Sequence, residues 1–108
     1  MDETDSDLRT RLNAETGKLQ WPELERHFAR GVVIKVDVSL DLIEVAAAVA
    51  EDDKPRVEAW MNSGVVAHPS TEDAKQWLER QPDFWAVVVA PWVLVQEVTE
   101  TSANTDNV

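Results

Sequence analysis

The sequence predicts a small α+β protein with about five helices and a small sheet of about three strands. Several segments repeat apolar residues at helical spacing, and short runs rich in β-branched residues lie between them, bounded by glycine or proline. A length of 108 residues, with 44% apolar and 29% charged residues, fits one domain with one core. We therefore expect a single domain over residues 7–97, between a disordered N-terminus at 1–6 and a disordered C-terminal tail at 98–108.

Two helices are predicted in the first third of the chain. Leu8, Leu12 and Leu19 recur at helical spacing as one buried stripe, and the polar residues at 5–7 suit the start of such a helix. The second helix is predicted over residues 22–30, because it opens with a proline, which is favoured at the first helical position, and is followed by glycine.

The middle of the chain predicts a strand followed by two helices. Residues 32–37 are mostly β-branched, which is typical of a strand. Residues 40–52 are apolar over most of a helical circumference, so this helix is expected to lie at the centre of the fold. The next helix is expected to end at Gly64, with Val57, Trp60 and Met61 on its inward face.

A short strand at residues 65–67 and a fifth helix are predicted next. Ser70 and Asp73 have the spacing of a reciprocal helix cap, and Trp77 and Leu78 are expected to point inward. The helix is expected to end before Pro82, because proline stops a helix.

The last structured segment is predicted at residues 84–96, which are apolar at both parities, as in a strand buried on both faces. Pro91 cannot donate to a strand ladder, so either one strand bends there or the run is two shorter strands. Trp85 and Trp92 have opposite parity around this proline, so a straight strand would send them to opposite faces. Since tryptophan is enriched among interface anchors, Trp85 and Trp92 are the candidate interface residues.

The net charge of −11, from 21 acidic and ten basic residues, argues against nucleic-acid and membrane partners. DNA binders depend on clustered basic side chains, and anionic membrane surfaces also repel an acidic protein. The longest apolar run, at residues 84–95, is shorter than the roughly 20 residues that a membrane-spanning helix needs. Without cysteine and without the pattern of a signal peptide, the protein is expected in the cytoplasm.

The sequence contains no motif for catalysis, metal binding or nucleotide binding. The only two histidines, His27 and His68, do not have the spacing of metal ligands, and three glycines do not make a phosphate-binding loop. We therefore expect no cofactor and no metal. The sequence leaves enzymatic activity undecided and favours a role other than catalysis.

Six acidic residues form the densest carboxylate cluster of the chain: Asp37, Asp41, Glu44, Glu51, Asp52 and Asp53. Paired carboxylates serve Mg²⁺ binding and general acid–base chemistry. The same positions are also those of helix caps, of a first helical turn and of a solvent-facing stripe. The second interpretation is favoured, and the first is kept as the alternative.

Three segments, in the same order, resemble a family of small bacterial proteins that is a conserved domain of unknown function: LNAETGKLQWPELERHFARG, VDVSLDLIEVAAAVAEDD and WAVVVAPWVLVQ. The resemblance spans about residues 8–96. It implies a cytoplasmic bacterial protein and transfers no catalytic residue.

The centre of the chain is also similar in architecture to the excisionase-like winged helices. Those proteins have an E-V-A helix, a turn, a helix with V-x-x-W that ends in glycine, and then a strand. Here E-V-A is at 44–46, V-x-x-W is Val57 with Trp60, and Gly64 follows. The second helix has only two basic residues and is preceded by three acids, so the resemblance implies a shared shape without DNA binding.

Together these features predict a small acidic cytosolic protein that binds another protein or associates with itself as a homodimer. The charge, the missing catalytic motifs and the long apolar run support this interpretation. The alternative is a metal-dependent enzyme or a small-ligand binder that uses the acidic cluster between Asp37 and Asp53.

Overall fold

A computed structural model of the protein describes the backbone of residues 2–98 and the side chains of residues 7–98. It confirms the α+β class. The helices of the described chain are α1 (Asp2–Glu15), α2 (Trp21–Arg30), α3 (Leu42–Ala50), α4 (Lys54–Ser63) and α5 (Thr71–Arg80).

The described residues form one sheet of five strands, more than the three that were expected. Its strands in chain order are β1 (Gly17–Gln20), β2 (Val33–Val36), β3 (Val66–Ala67), β4 (Asp83–Val89) and β5 (Trp92–Glu97). In space the order is β1-β4-β5-β2-β3, in which β1, β5 and β2 run in one direction and β4 and β3 in the other. The sheet is therefore mixed, with parallel β5 and β2 beside each other.

Helices cover both faces of the sheet, and each face has its own core. On one face α1 and α3 pack against the sheet through residues such as Leu12, Val45 and Leu94. On the other face α2 and α5 pack through residues such as Leu24 and Trp77. Alternate residues of β4 and β5 supply the two cores, which explains why the run at 84–96 is apolar at both parities.

The run at 84–96 is two strands rather than one bent strand. β4 and β5 form an antiparallel hairpin that turns at Ala90 and Pro91, joined by a cis peptide bond. Val89 pairs with Trp92, and Trp85 pairs with Gln96. Because paired residues share a face and the turn reverses the parity, Trp85 and Trp92 lie on the same face of the sheet, not on opposite faces.

The first helix differs from the prediction at both ends. α1 begins at Asp2, inside the segment 1–6 that was expected to be disordered; the several acids there favour a helix N-terminus. α1 ends at Glu15, and Leu19 belongs to β1, where it pairs with Phe84. The prediction that Leu19 shares a helical stripe with Leu8 and Leu12 was therefore wrong. Of the tail at 98–108, residues 99–108 lie outside the described part of the chain.

Local signals fixed the ends of several elements as expected. Gly31 and Gly64 end α2 and α4 in the left-handed conformation, with φ of 76° and 86°. The Ser70 hydroxyl accepts a hydrogen bond from the Asp73 N–H at 3.0 Å, and the Asp73 carboxylate accepts one from the Ser70 N–H at 2.9 Å. The predicted reciprocal cap of α5 is confirmed.

Two side chains predicted to point inward are exposed instead, namely Met61 of α4 and Leu78 of α5. α4 contains no buried residue, because it lies outside α3 and reaches the core only through half-buried Trp60. β3, which follows α4, pairs with β2 as an edge strand of the main sheet. The centre thus keeps the predicted order of elements without a separate wing. Within residues 2–98, no helix has the length and apolar character needed to cross a membrane.

Candidate protein-binding site

The predicted interface residue Trp92 and two residues of the predicted acidic cluster meet at one pocket. This pocket, the Trp92 pocket, has a volume of about 230 Å³ and lies between the α3–α4 corner and the start of β5. Its apolar lining is formed by Val49, Val57 and half-buried Trp92, and its acidic lining by Asp52, Asp53 and Glu58. Lys54 completes the lining.

The tight turn between α3 and α4 explains why carboxylates collect at this corner. Asp52 has a positive φ of 59°, a conformation that aspartate tolerates better than most residues other than glycine. The Asp53 N–H donates to the Ala48 carbonyl at 2.9 Å, and the Lys54 N–H donates to the Asp52 carbonyl at 2.9 Å. These backbone bonds leave the side chains of the turn free to face solvent and the pocket.

The acidic residues of the Trp92 pocket have no ion pair with the described side chains, residues 7–98. The ion pairs that the structure shows there include Lys35 with Asp73, Arg56 with Glu44 and Arg80 with Glu97, and none of them includes an acid of the pocket. Three carboxylates therefore face a single ammonium group, that of Lys54. The corner keeps a local excess of negative charge.

Of the other four members of the acidic cluster, Glu51 is exposed at the end of α3 and does not line the pocket, and the remaining three have structural roles. The Asp41 carboxylate accepts a hydrogen bond from the Ile43 N–H at 3.0 Å and caps α3. The Asp37 carboxylate instead accepts a hydrogen bond from the Ser39 N–H at 2.9 Å, and hydrogen bonds from Ser39 hold the pKa of Asp37 below its usual value. Glu44 pairs with Arg56.

The six acidic residues do not converge on one point. Three lie before or at the N-terminal end of α3, and the remaining three, Glu51, Asp52 and Asp53, follow one another at the α3–α4 corner. In the part of the chain that the structure describes, no group of three histidine, aspartate or glutamate residues is placed to hold a metal ion.

α4 corresponds to the helix that enters the DNA groove in a winged helix. Of its two basic residues, one already forms an ion pair within the protein. The Arg56 guanidinium pairs with Glu44 and lies over the ring of Trp60, 4.9 Å from its centroid. Glu58 and the acids of the preceding turn lie beside it. A DNA phosphate would meet mostly carboxylates at this corner.

Trp85, the second predicted interface residue, lies toward the other end of the hairpin from Trp92. It is half-buried, packs beside the core that α1 and α3 form, and carries the Lys18 ammonium 5.1 Å from its ring centroid. It lines a pocket of about 280 Å³ together with Asp41, Leu42 and other residues. The structure thus assigns the two tryptophans to separate pockets.

A polar cluster at the carboxyl ends of β2 and β5 was missed by sequence reasoning. The Lys35 ammonium donates to the Asp73 carboxylate at 2.8 Å. Burial raises the pKa of Asp73, but hydrogen bonds from Lys35 and Ser70 outweigh this effect, so its pKa lies below the usual value.

The same cluster continues at Glu97. The Trp77 indole N–H donates to the Glu97 carboxylate at 3.0 Å, and Arg80 also donates to it at 3.1 Å. Lys35, Trp77 and Glu97 line a cavity of about 240 Å³, but their charged groups are already paired. No local motif identifies this cluster, because its members come from three separate elements, β2, α5 and β5.

An apolar strand edge forms a second exposed feature. β1 pairs with β4 only as far as Ala86, so the outer edge of β4 from Val87 to Val89 has no neighbouring strand among the described residues. Val88, which is 58% exposed, lies there beside a groove of about 450 Å³ that Leu19, Ala86 and Val93 also line.

Comparison with known proteins gives a family and a solved relative. The model of a family described as "Protein of unknown function (DUF2288)" matches residues 7–97. The NMR solution structure of PA1075 from Pseudomonas aeruginosa is similar at 48% sequence identity over 89% of each chain, with a TM-score of 0.77. None of the curated proteins matches the sequence.

These matches confirm the resemblance to a bacterial family without an assigned role, and the solved relative supports the fold. The family model covers most of the chain, including both cores and the Trp92 pocket. The chain therefore belongs to the DUF2288 family of proteins of unknown function.

Proposed function

We propose that the protein is a binding module for a partner protein that carries a basic segment, and that it binds this segment at the α3–α4 corner. The observation that carries the proposal is the Trp92 pocket, where acids without an ion-pair partner surround a half-buried tryptophan. A tryptophan anchor within a polar rim is typical of a protein interface.

The distribution of charge along the chain supports a basic partner. Residues 33–97 contain twelve acidic and five basic residues, whereas residues 8–32 contain three acidic and five basic residues. Residues 33–97, which include the corner, therefore carry a net charge of −7, against +2 for residues 8–32. Such a surface attracts a basic segment over several ångströms and discriminates against acidic ones.

Binding of a labelled ten-residue peptide of alternating lysine, arginine and glycine tests the proposal. Fluorescence anisotropy is expected to show saturable binding that weakens as salt rises, because salt screens the exposed charges. The triple variant Asp52→Asn, Asp53→Asn, Glu58→Gln is expected to bind about tenfold more weakly, since each exposed charge pair contributes up to about 1 kcal/mol. Asparagine suits both a positive φ and a helix cap, so the turn keeps its shape.

The matched control removes three carboxylates elsewhere, in the variant Glu25→Gln, Glu72→Gln, Glu79→Gln. These residues lie on α2 and α5, away from the corner, and the net charge changes by the same amount. The control is expected to bind nearly as well as the unchanged protein. An absence of binding, or equal weakening in both triple variants, would contradict a site at the corner.

The open edge of β4 favours self-association as a second candidate function. An apolar strand edge without a neighbour is a template for pairing with another strand, and Glu15 and Lys18 beside the groove balance each other in charge. Two copies would pair their β4 edges around Val88. Higher salt would strengthen this contact by screening the repulsion between two acidic copies, whereas it weakens binding of the basic peptide.

Sedimentation equilibrium across a range of protein and salt concentrations tests self-association. The variant Val88→Lys is expected to remain monomeric where the unchanged protein dimerises. Leu78→Lys is the matched control, because Leu78 is 59% exposed but lies on α5. A monomer in the unchanged protein at all concentrations would rule the dimer out.

A further inference from the structure

We propose that the Trp92 pocket takes one arginine or lysine side chain of the basic partner, with the cationic group held over the Trp92 ring between the surrounding carboxylates. The inference rests on the proposed function and names the group that the site recognises. Val49 and Val57 supply an apolar wall for the aliphatic part of such a side chain. Asp52, Asp53 and Glu58 supply the negative charge.

The chain itself shows this mode of recognition at two other tryptophans. The Arg56 guanidinium lies 4.9 Å from the Trp60 ring centroid and pairs with the Glu44 carboxylate. The Lys18 ammonium lies 5.1 Å from the Trp85 ring centroid. Both arrangements place a cation over an aromatic face, an attraction that strengthens where water is excluded.

Trp92 has the aromatic ring and the carboxylates of this arrangement, but no cation of the described side chains lies over its ring. Within residues 7–98, the cations that lie over a tryptophan ring are Lys18 at Trp85 and Arg56 at Trp60. The contact that Trp92 does make is with the His68 ring, at 5.7 Å between centroids, and His68 is not part of the pocket lining. The position over Trp92 that corresponds to that of Arg56 over Trp60 is therefore available to a cation from another molecule.

Lys54 is the cation of the protein itself that would compete with a partner's arginine or lysine for the Trp92 pocket. It is exposed and lines the pocket, where its ammonium opposes an incoming cation. Replacing Lys54 with glutamine removes the repulsion and is expected to raise the affinity for the basic peptide by about threefold. Lys75→Gln on α5 makes the same change in net charge away from the pocket and is expected to have a smaller effect.

Heteronuclear NMR of the five tryptophan indole N–H groups, with the peptide added to the full-length protein, tests the inference. The Trp92 signal is expected to shift with the same saturation curve as the anisotropy, while the signals of Trp21 and Trp77 stay in place. A peptide with neutral citrulline and glutamine in place of arginine and lysine is expected to cause no shift. Signals are assigned by replacing one tryptophan at a time.

The variant Trp92→Leu gives a second, independent measurement. It keeps the three carboxylates and removes the aromatic face, so the peptide is expected to bind about threefold to tenfold more weakly. Trp85→Leu changes the other half-buried tryptophan of the same sheet face and is expected to bind as before.

Failure of the inference is distinguishable from failure of the proposed function. If the peptide binds and the corner triple variant weakens it, but the Trp92 signal does not move, the corner binds by surface charge and the inference is wrong. If the peptide does not bind at all, both are wrong. Should Trp92→Leu fail to fold, the indole measurement on the unchanged protein still decides.

Discussion

The indole N–H of Trp77 donates to the Glu97 carboxylate at 3.0 Å and so joins the middle of α5 to the last residue of β5. A buried N–H group costs free energy unless it finds an acceptor, and Glu97 is that acceptor. The indole N–H of Trp21, whose ring lies 6.0 Å from that of Trp77, is buried without a hydrogen-bond partner among the described residues.

Trp77→Phe is expected to destabilise the protein more than Trp21→Phe does. Both changes remove the same part of a buried ring, but only the first breaks a hydrogen bond to a charged acceptor. The difference in the free energy of unfolding is expected to be about 1–3 kcal/mol, as measured by urea denaturation. Equal losses in the two variants would show that the Trp77–Glu97 bond contributes nothing.

The Lys35–Asp73 pair predicts a loss of stability in acid. The pKa of Asp73 in the folded protein lies below its usual value, so the ionised carboxylate stabilises the fold at neutral pH. This contribution is complete above the unfolded pKa and disappears as the pH falls through the lower, folded value.

Asp73→Asn is therefore expected to lower the free energy of unfolding at pH 7, by about 1 kcal/mol, and to flatten its decline below pH 4. Urea denaturation at several pH values measures both effects. Glu72→Gln, at an exposed neighbour on the same helix, is the control and is expected to preserve the steeper decline.

Replacing glycine with alanine is expected to have opposite effects on stability at Gly64, which is left-handed, and at Gly17, which lies in β1. Gly64→Ala forces a side chain into a conformation with φ of 86°, so the free energy of unfolding is expected to fall by about 1 kcal/mol. Gly17 has ordinary φ, and a Cβ atom there would meet nothing within 4 Å. Gly17→Ala is expected to leave stability unchanged or to raise it slightly, as measured by thermal denaturation.

Removing the Arg56 guanidinium from the Trp60 ring is expected to make Trp60 a second tryptophan that binds a cation of the peptide. In Arg56→Ala, both the Trp60 ring and the Glu44 carboxylate lose their partner. Addition of the basic peptide is then expected to shift the Trp60 indole N–H signal, which stays in place in the unchanged protein. A Trp60 signal that remains insensitive in the variant would argue that a carboxylate beside an aromatic ring is not sufficient for recognition.

Sequence reasoning identified the elements that carry strong local signals. α2 has proline near its start and glycine at its end, and α5 has the Ser70–Asp73 cap, so the ends of both helices were close to their predicted positions. β1 was missed because it has only four residues, GKLQ, and lies at a sheet edge, where neither alternation nor β-branched residues mark a strand.

The candidate site was visible only in parts. Trp92 and Asp52 were each singled out for separate reasons, but they are forty positions apart, and the turn of the hairpin decides on which face Trp92 lies. The prediction that Leu78 points inward was wrong. Helical spacing indicates which side of a helix is buried, but not how wide the buried stripe is. Contacts of this kind depend on how distant elements pack.

The turn at Ala90 and Pro91 affects how β5 packs against the helices on both faces of the sheet. Because β4 and β5 send alternate residues to the two cores, a slip of β5 by one residue along β4 at this turn would invert the orientation of β5 relative to the sheet. Trp92 would then face α2 and α5, and Val93 and Val95 would take its side. The pairing of Val89 with Trp92 across this turn thus determines which core and which pocket each side chain of β5 can reach.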